Sequence, residues 1–221
     1  IYNWGNNWNA PNILLLDDIS SDGVGDLAIT GVRKDDGRAQ MILRGGDSKT
    51  TQLGNIGWPD VLQASGFMQV KDRDGDGLVD VAAWGVRSDN QRFQIVAKST
   101  SSKLSVKTNG WPALWDTVTI LDLDDHSGDG EPDFALLGDS KATGMAELSV
   151  IDSATNKPLS IYQWETSVSA STLMELDDIN GDGIKELGMF SSVNGQGTLV
   201  IKDGLDPTVT LKTMSQDALW Y

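Results

Sequence analysis

Residues 72–80 read D-R-D-G-D-G-L-V-D. Acidic side chains at positions 1, 3, 5 and 9 of a tightly coiled loop can converge on one point, and Gly77 at position 6 supplies the backbone angle of the turn. Hard oxygen ligands converging in this way suit Ca²⁺, which takes six to eight oxygens at about 2.3–2.6 Å. The stretch recurs as D-I-S-S-D-G-V-G-D at 18–26, D-H-S-G-D-G-E-P-D at 125–133 and D-I-N-G-D-G-I-K-E at 178–186. The first residues of the four loops lie 54, 53 and 53 apart. Four matches at one period are far more specific than any single match. Clustered carboxylates repel one another unless a cation neutralises them, so the loops are expected to hold metal. The expected role of that metal is structural: it pins a strand-to-strand turn.

The loops need strands to carry them. An apolar run precedes each loop, at 13–16, 67–70, 119–123 and 173–176, and another follows it, at 27–30, 81–84, 134–137 and 187–190. Short apolar runs bounded by turn residues read as strands buried on both faces. A third run lies at 40–43, 93–97, 147–151 and 198–201, and a more polar fourth at 50–53, 103–107, 159–162 and 209–212. Polar outer strands suit a sheet edge. Trp4, Trp58, Trp111 and Trp164 each stand 14 residues before a loop. They are expected to pack between neighbouring units, while the less regular Trp8, Trp84, Trp115 and Trp220 are candidates for exposed contacts. Gly31, Gly85 and Gly138 each fall five residues after position 9, where a bend or a close backbone approach is expected.

The sequence therefore predicts an all-β chain of four tandem, four-stranded antiparallel units of about 53 residues, at roughly 4–57, 58–110, 111–163 and 164–217. Four strands per unit at this period is the pattern of β-propeller blades; a β-solenoid-like array is the alternative. A lone blade has exposed edges and little core, so the chain is expected to belong to a longer array or to assemble with copies of itself.

Composition narrows the function. Among the 221 residues, 32 are acidic and 17 basic, for a net charge of −15. Four divalent cations would cancel over half of that charge, and so acidic a chain is not expected to bind nucleic acid through phosphate contacts. There is no cysteine, hence no disulfide or thiol chemistry. No apolar run is long enough for a membrane-spanning helix, so no membrane insertion is expected. His126, the one histidine, sits at position 2 of its loop, where side chains are expected to point outward, and a catalytic role for it is not expected.

The pattern D-x-[DNS]-x-D-G-x-x-[DE] between apolar strands resembles FG-GAP-like repeats, also called VCBS repeats, and is similar to the calcium-bearing blades of integrin α subunits. The resemblance covers all four units; the Phe-Gly and Gly-Ala-Pro segments that name the family are not in the chain. It implies that side chains at positions 1, 3, 5 and 9 and the carbonyl at position 7 bind about four Ca²⁺ ions, one per repeat. The implied ligands are Asp18, Ser20, Asp22, Val24 and Asp26; Asp72, Asp74, Asp76, Leu78 and Asp80; Asp125, Ser127, Asp129, Glu131 and Asp133; and Asp178, Asn180, Asp182, Ile184 and Glu186. The second loop, with four carboxylates, is expected to bind most tightly. The first and third, with serine at position 3, are expected to lose metal first.

The expected function is a non-catalytic, calcium-stabilised scaffold of a secreted, extracellular or cell-surface protein. It would mediate adhesion, assembly or contacts with a protein partner or with its own copies. The alternative is a carbohydrate-binding, lectin-like propeller module, attached to a polysaccharide-active enzyme, and its motive is the eight tryptophans. A polysaccharide-cleaving enzyme, the third reading, requires a cleft with a convergent acid and base.

Overall fold

The computed structural model describes residues 7–47, 51–58, 62–87, 92–164, 171–193 and 196–216. Trp4, Trp220 and the side chain of Trp164 lie outside the described residues. Sixteen strands form in chain order, with no helix among the described residues. The first sheet comprises β1 (Trp8–Leu16), β2 (Asp26–Arg33), β3 (Ala39–Arg44) and β4 (Gln52–Gly57); the second β5 (Leu62–Val70), β6 (Asp80–Arg87), β7 (Arg92–Lys98) and β8 (Ser105–Pro112). The third comprises β9 (Trp115–Asp122), β10 (Phe134–Ser140), β11 (Ala146–Asp152) and β12 (Lys157–Trp164); the fourth β13 (Ser171–Leu176), β14 (Glu186–Val193), β15 (Gln196–Lys202) and β16 (Thr210–Gln216). Every neighbouring pair is antiparallel and each sheet is a simple meander. Each repeat closes its hydrogen bonds within its own sheet, unlike the continuous sheets of a solenoid.

Each acidic loop joins the first strand of a sheet to the second. Position 9 is the first residue of the second strand in three sheets: Asp26 pairs with Leu16, Asp80 with Val70 and Glu186 with Leu176. In the third sheet Asp133 immediately precedes β10 and its carbonyl accepts from the Leu123 amide at 3.0 Å. The repeating tryptophan closes a sheet: Trp111 lies in β8, and Trp58 follows β4 with its amide bonded to the Ala39 carbonyl.

The chain divides into two compact units, residues 1–113 and 114–221, each holding two sheets. Because side chains alternate along a strand, each sheet has two faces, here called forward and rear. In the first unit, the forward face of sheet one (Leu14, Leu16, Ala28, Met41, Leu43, Ile56) packs on the rear face of sheet two (Leu62, Phe67, Val81, Ala83, Val96). In the second unit, the forward face of sheet three (Leu121, Leu123, Ala135, Leu137, Leu148, Val150, Tyr162) packs on the rear face of sheet four (Leu173, Leu187, Met189, Val200). Met41, Leu43 and Leu148 are fully buried, and each such side chain contributes roughly 1.5–3 kcal/mol by leaving water.

Trp58 stitches sheet one to sheet two. Its indole N–H donates to the Val96 carbonyl at 2.7 Å, and its ring meets Phe67 edge-on at 5.6 Å. This is the packing between neighbouring repeats that the sequence pattern predicts, and it lies within the first compact unit. Trp84 is half-buried and lies over Gly66, where an added Cβ would meet the indole at 2.3 Å. Gly85 shows the close backbone approach read from the repeat, since a Cβ there would lie 1.9 Å from the Gln63 carbonyl oxygen.

Candidate metal centres

The four loops share one internal wiring. The position-1 carboxylate accepts the amide of the position-6 glycine: Gly23 to Asp18, Gly77 to Asp72 and Gly130 to Asp125 at 2.7 Å, and Gly183 to Asp178 at 2.9 Å. The position-5 carboxylate accepts the amide of position 7: Val24 to Asp22 and Leu78 to Asp76 at 2.9 Å, Glu131 to Asp129 and Ile184 to Asp182 at 2.8 Å. The position-9 carboxylate accepts from the start of the loop: Ile19 and Ser20 to Asp26, Arg73 to Asp80, His126 and Ser127 to Asp133, Ile179 and Asn180 to Glu186. Three side chains thus hold the backbone of each loop in a coil.

Glycine at position 6 has φ between 83° and 93° in all four loops. Position 4 is also left-handed, with Gly75 at 78°, Gly128 at 78° and Gly181 at 84°. The first loop places Ser21 there, at φ 60°. The second left-handed residue went unrecognised in the sequence because glycine at position 4 is not universal across the four copies.

Backbone donors tune the position-1 acids. Asp18, with Gly23 as chief donor, and Asp178, with Gly183 and Gly181, sit below the usual carboxylate range. Burial opposes ionisation of Asp72 and Asp125, yet the amides of Gly77 and Gly75, and of Gly130 and Gly128, keep both below it as well. Position 9 behaves oppositely. Burial pushes Asp133 up, and burial together with the charges of Asp74, Asp72 and Asp76 pushes Asp80 to about 6, against a bond from the Arg73 amide.

The second loop brings ligand oxygens of Asp72, Asp74 and Asp80 within 4.8 Å of one another. Asp76 stays outside this group, and its carboxylate accepts from the Ser101 hydroxyl as well as from Leu78. In the first loop Ser20 Oγ joins Asp18 at 3.2 Å and Asp26 at 3.4 Å; in the third Ser127 Oγ joins Asp125 at 3.1 Å. In the fourth Asn180 Nδ2 donates to Asp182 at 3.0 Å and to Asp203 at 2.8 Å, adding a carboxylate that lies outside the repeat motif.

One oxygen sets the second loop apart. The spare oxygen of position 9 accepts a backbone amide from the end of the third strand in the other loops: Gly46 to Asp26 at 2.8 Å, Ser153 to Asp133 at 2.9 Å, Gly204 to Glu186 at 2.9 Å. Asp80 Oδ1 is buried and has no such donor among the described residues. A buried anionic oxygen without a donor costs more than a hydrogen bond returns, and a cation bound by Asp72, Asp74 and Asp80 would satisfy it. The donor set, all carboxylate, fits a hard divalent ion.

His126 departs from expectation. Its side chain points inward, 1% exposed, with Nε2 3.3 Å from Glu175 Oε1 and Nδ1 3.4 Å from the Gly204 carbonyl oxygen. The neighbouring Asp124 amide also donates to Glu175 at 2.8 Å, and Lys185 bridges Asp124 and Glu175 at 2.7 and 3.4 Å. Position 2 is thus a contact to the next sheet, and in the first unit Ile19, at the same position, packs into the shared core.

A pocket of about 280 Å³ opens in the first unit beside a bulge in β1 (Asn9/Asn12) and another in β5 (Ala64/Gly66). Its lining includes Asn9, Asn12, Thr30, Ser65, Phe67 and Trp84.

No family model matches this chain, and no curated protein matches it. Among solved structures it is similar to the Dos1 propeller, with a TM-score of 0.50 and 14% identity over 92% of this chain and 47% of that one. The fold is therefore that of β-propeller-type blades, and the chain spans about half the length of that propeller.

Proposed function

We propose that this chain is a non-catalytic, calcium-stabilised blade array of the FG-GAP-like kind. It would serve an extracellular or cell-surface protein as a scaffold for adhesion, assembly or protein contacts. The observation that carries the calcium reading is Asp80: a buried carboxylate with one oxygen lacking a donor, in a group with Asp72 and Asp74 spanning no more than 4.8 Å. Bound calcium would neutralise the repulsion within this group and fix the turn between β5 and β6. The other three loops support the reading by repeating the same wiring with fewer carboxylates. Binding energy gained only in the folded state would add to stability. Contacts to a partner are the part of the reading that the blade fold itself supports, since stacked sheets present regular faces and edges.

Calorimetric titration of metal-free protein with Ca²⁺ tests this. The expected result is binding at unequal sites, the strongest being lost in the Asp72→Asn variant. Four equal sites, or no heat, would contradict it.

The pocket beside Asn9, Asn12, Phe67 and Trp84 favours carbohydrate binding as a second reading, because amide and hydroxyl side chains next to aromatic surface suit a sugar. A glycan array with reproducible hits that vanish in Trp84→Ala would support it, and an array without hits would remove it.

A further inference from the structure

Within each unit, the residue just before the leading loop is tied to the strand that enters the following loop. In the first unit the Asp17 amide donates to Gln69 Oε1 and Gln69 Nε2 donates to Asp17 Oδ2, both at 2.8 Å. In the second unit the Asp124 amide donates to Glu175 Oε1 at 2.8 Å. Asp17 and Asp124 immediately precede position 1 of their loops, and their carbonyls accept the position-9 amides, from Asp26 at 3.4 Å and from Asp133 at 3.2 Å. Each therefore meets both ends of its own loop. Gln69 and Glu175 pair with Val81 and Leu187, the residues next to Asp80 and Glu186 at position 9 of the following loops. Each thus belongs to the strand pair that the following loop closes. The second unit adds another line between the same two loops. The His126 amide donates to Asp133 at 3.0 Å, His126 Nδ1 lies 3.4 Å from the Gly204 carbonyl oxygen, and the Gly204 amide donates to Glu186 at 2.9 Å.

We infer that calcium binding is cooperative within each unit: a metal in the second loop raises the affinity of the first, and a metal in the fourth raises that of the third. The inference rests on the calcium reading and adds the regulation of those sites. Its physical basis is shared ordering. Without metal, the like charges of Asp72, Asp74 and Asp80, gathered within 4.8 Å, push apart the ends of β5 and β6. A bound cation removes that repulsion and fixes the strand end that carries Gln69. Gln69 then holds Asp17, and through it both ends of the first loop, so the first loop loses less freedom when its own metal arrives. Glu175 does the same for Asp124 and the third loop, and Lys185, at position 8 of the fourth loop, braces the link by bridging Asp124 and Glu175 at 2.7 and 3.4 Å. Linkage makes each effect reciprocal, so metal in the first loop raises the affinity of the second by the same factor. The same link at the same repeat position in both units sets it apart from a chance surface contact.

The test follows the loops one at a time. The amides of Gly23, Gly77, Gly130 and Gly183 each donate to the position-1 acid of their own loop, so their NMR signals report each site separately as the full chain is titrated with Ca²⁺. Asp72→Asn empties the second loop and should raise the calcium midpoint read at Gly23 by about fivefold or more. Asp178→Asn should do the same to Gly130 in the second unit. Gln69→Leu removes both bonds to Asp17 without changing charge. It should raise the Gly23 midpoint by itself, and adding Asp72→Asn to it should move Gly23 little further. That last comparison separates the link from long-range charge, which Gln69→Leu leaves in place. Circular dichroism confirms that each variant keeps the wild-type fold, and the Asp178→Asn measurement stands whether or not Gln69→Leu folds. Midpoints at Gly23 and Gly130 that ignore Asp72→Asn and Asp178→Asn would overturn the cooperativity and leave the calcium reading standing. So would an Asp72→Asn effect on Gly23 that is undiminished in Gln69→Leu. Glycine signals that do not respond to Ca²⁺ in any loop would overturn the calcium reading, and the cooperativity with it.

Discussion

At the residue scale, conformation and charge in the loops make opposite demands that substitutions can separate. Ser21 occupies a left-handed backbone position that the other three loops give to glycine. Such a conformation costs a side-chain-bearing residue about 1–2 kcal/mol. Ser21→Gly should therefore raise the urea midpoint, by about 1 kcal/mol of stability after the added chain entropy of glycine is subtracted. Asp80 makes the sharper case. Its folded carboxyl is raised to about 6 from an ordinary 3.8, so its protonated form favours folding. In metal-free protein that contribution is complete below pH 4 and lost as pH rises through about 6, a loss on the order of 3 kcal/mol. Asp80→Asn should be more stable than wild type in chelator at pH 7, with the advantage fading toward pH 4. In Ca²⁺ the order should reverse, because the variant forfeits a ligand. Thermal unfolding at several pH values, with and without metal, checks both signs. The acids at positions 1, 3, 5 and 9 were legible because spacing alone marks them. Which oxygen lacks a donor was not legible, since it depends on whether a residue twenty positions later, such as Gly46 or Ser153, offers its amide.

At the scale of the element, the loops and Trp58 join strands that would otherwise be separate hairpins. Trp58 is 3% exposed and bridges two sheets with one hydrogen bond and one aromatic contact. Trp58→Ala should lower stability by about 3–5 kcal/mol in urea unfolding. Trp58→Phe should cost less, losing chiefly the bond to Val96. Strand order and the site of each turn could be read from the apolar runs, because period-2 burial and turn residues are local. The lengths were underestimated: β8 runs to Pro112 and carries Trp111, since edge strands are extended by pairing rather than by their own polar sequence. His126 shows the same limit. Outward orientation at position 2 is the local expectation, and Glu175 on the adjacent sheet overrides it.

At the scale of the whole molecule, a 53-residue period was enough to give four sheets of four strands, because each repeat must satisfy its hydrogen bonds internally while burying its faces on neighbours. What periodicity cannot give is the identity of the neighbour, which is decided by side chains far apart in sequence. The charge of −15 belongs to this scale as well. Self-repulsion among acids weakens the compact state, so metal-free protein should gain stability from added NaCl, and calcium-loaded protein much less. Denaturant midpoints across a salt series check this.

The central claim is that the acidic loops take Ca²⁺ and that this binding stabilises the folded blades. Thermal unfolding in excess Ca²⁺ and then in chelator tests it most directly. Each filled site should add about 2.7 kcal/mol at a hundredfold excess over its dissociation constant, so the melting temperature should rise with calcium concentration and the rise should shrink in Asp72→Asn. A melting temperature unchanged between calcium and chelator would contradict the account.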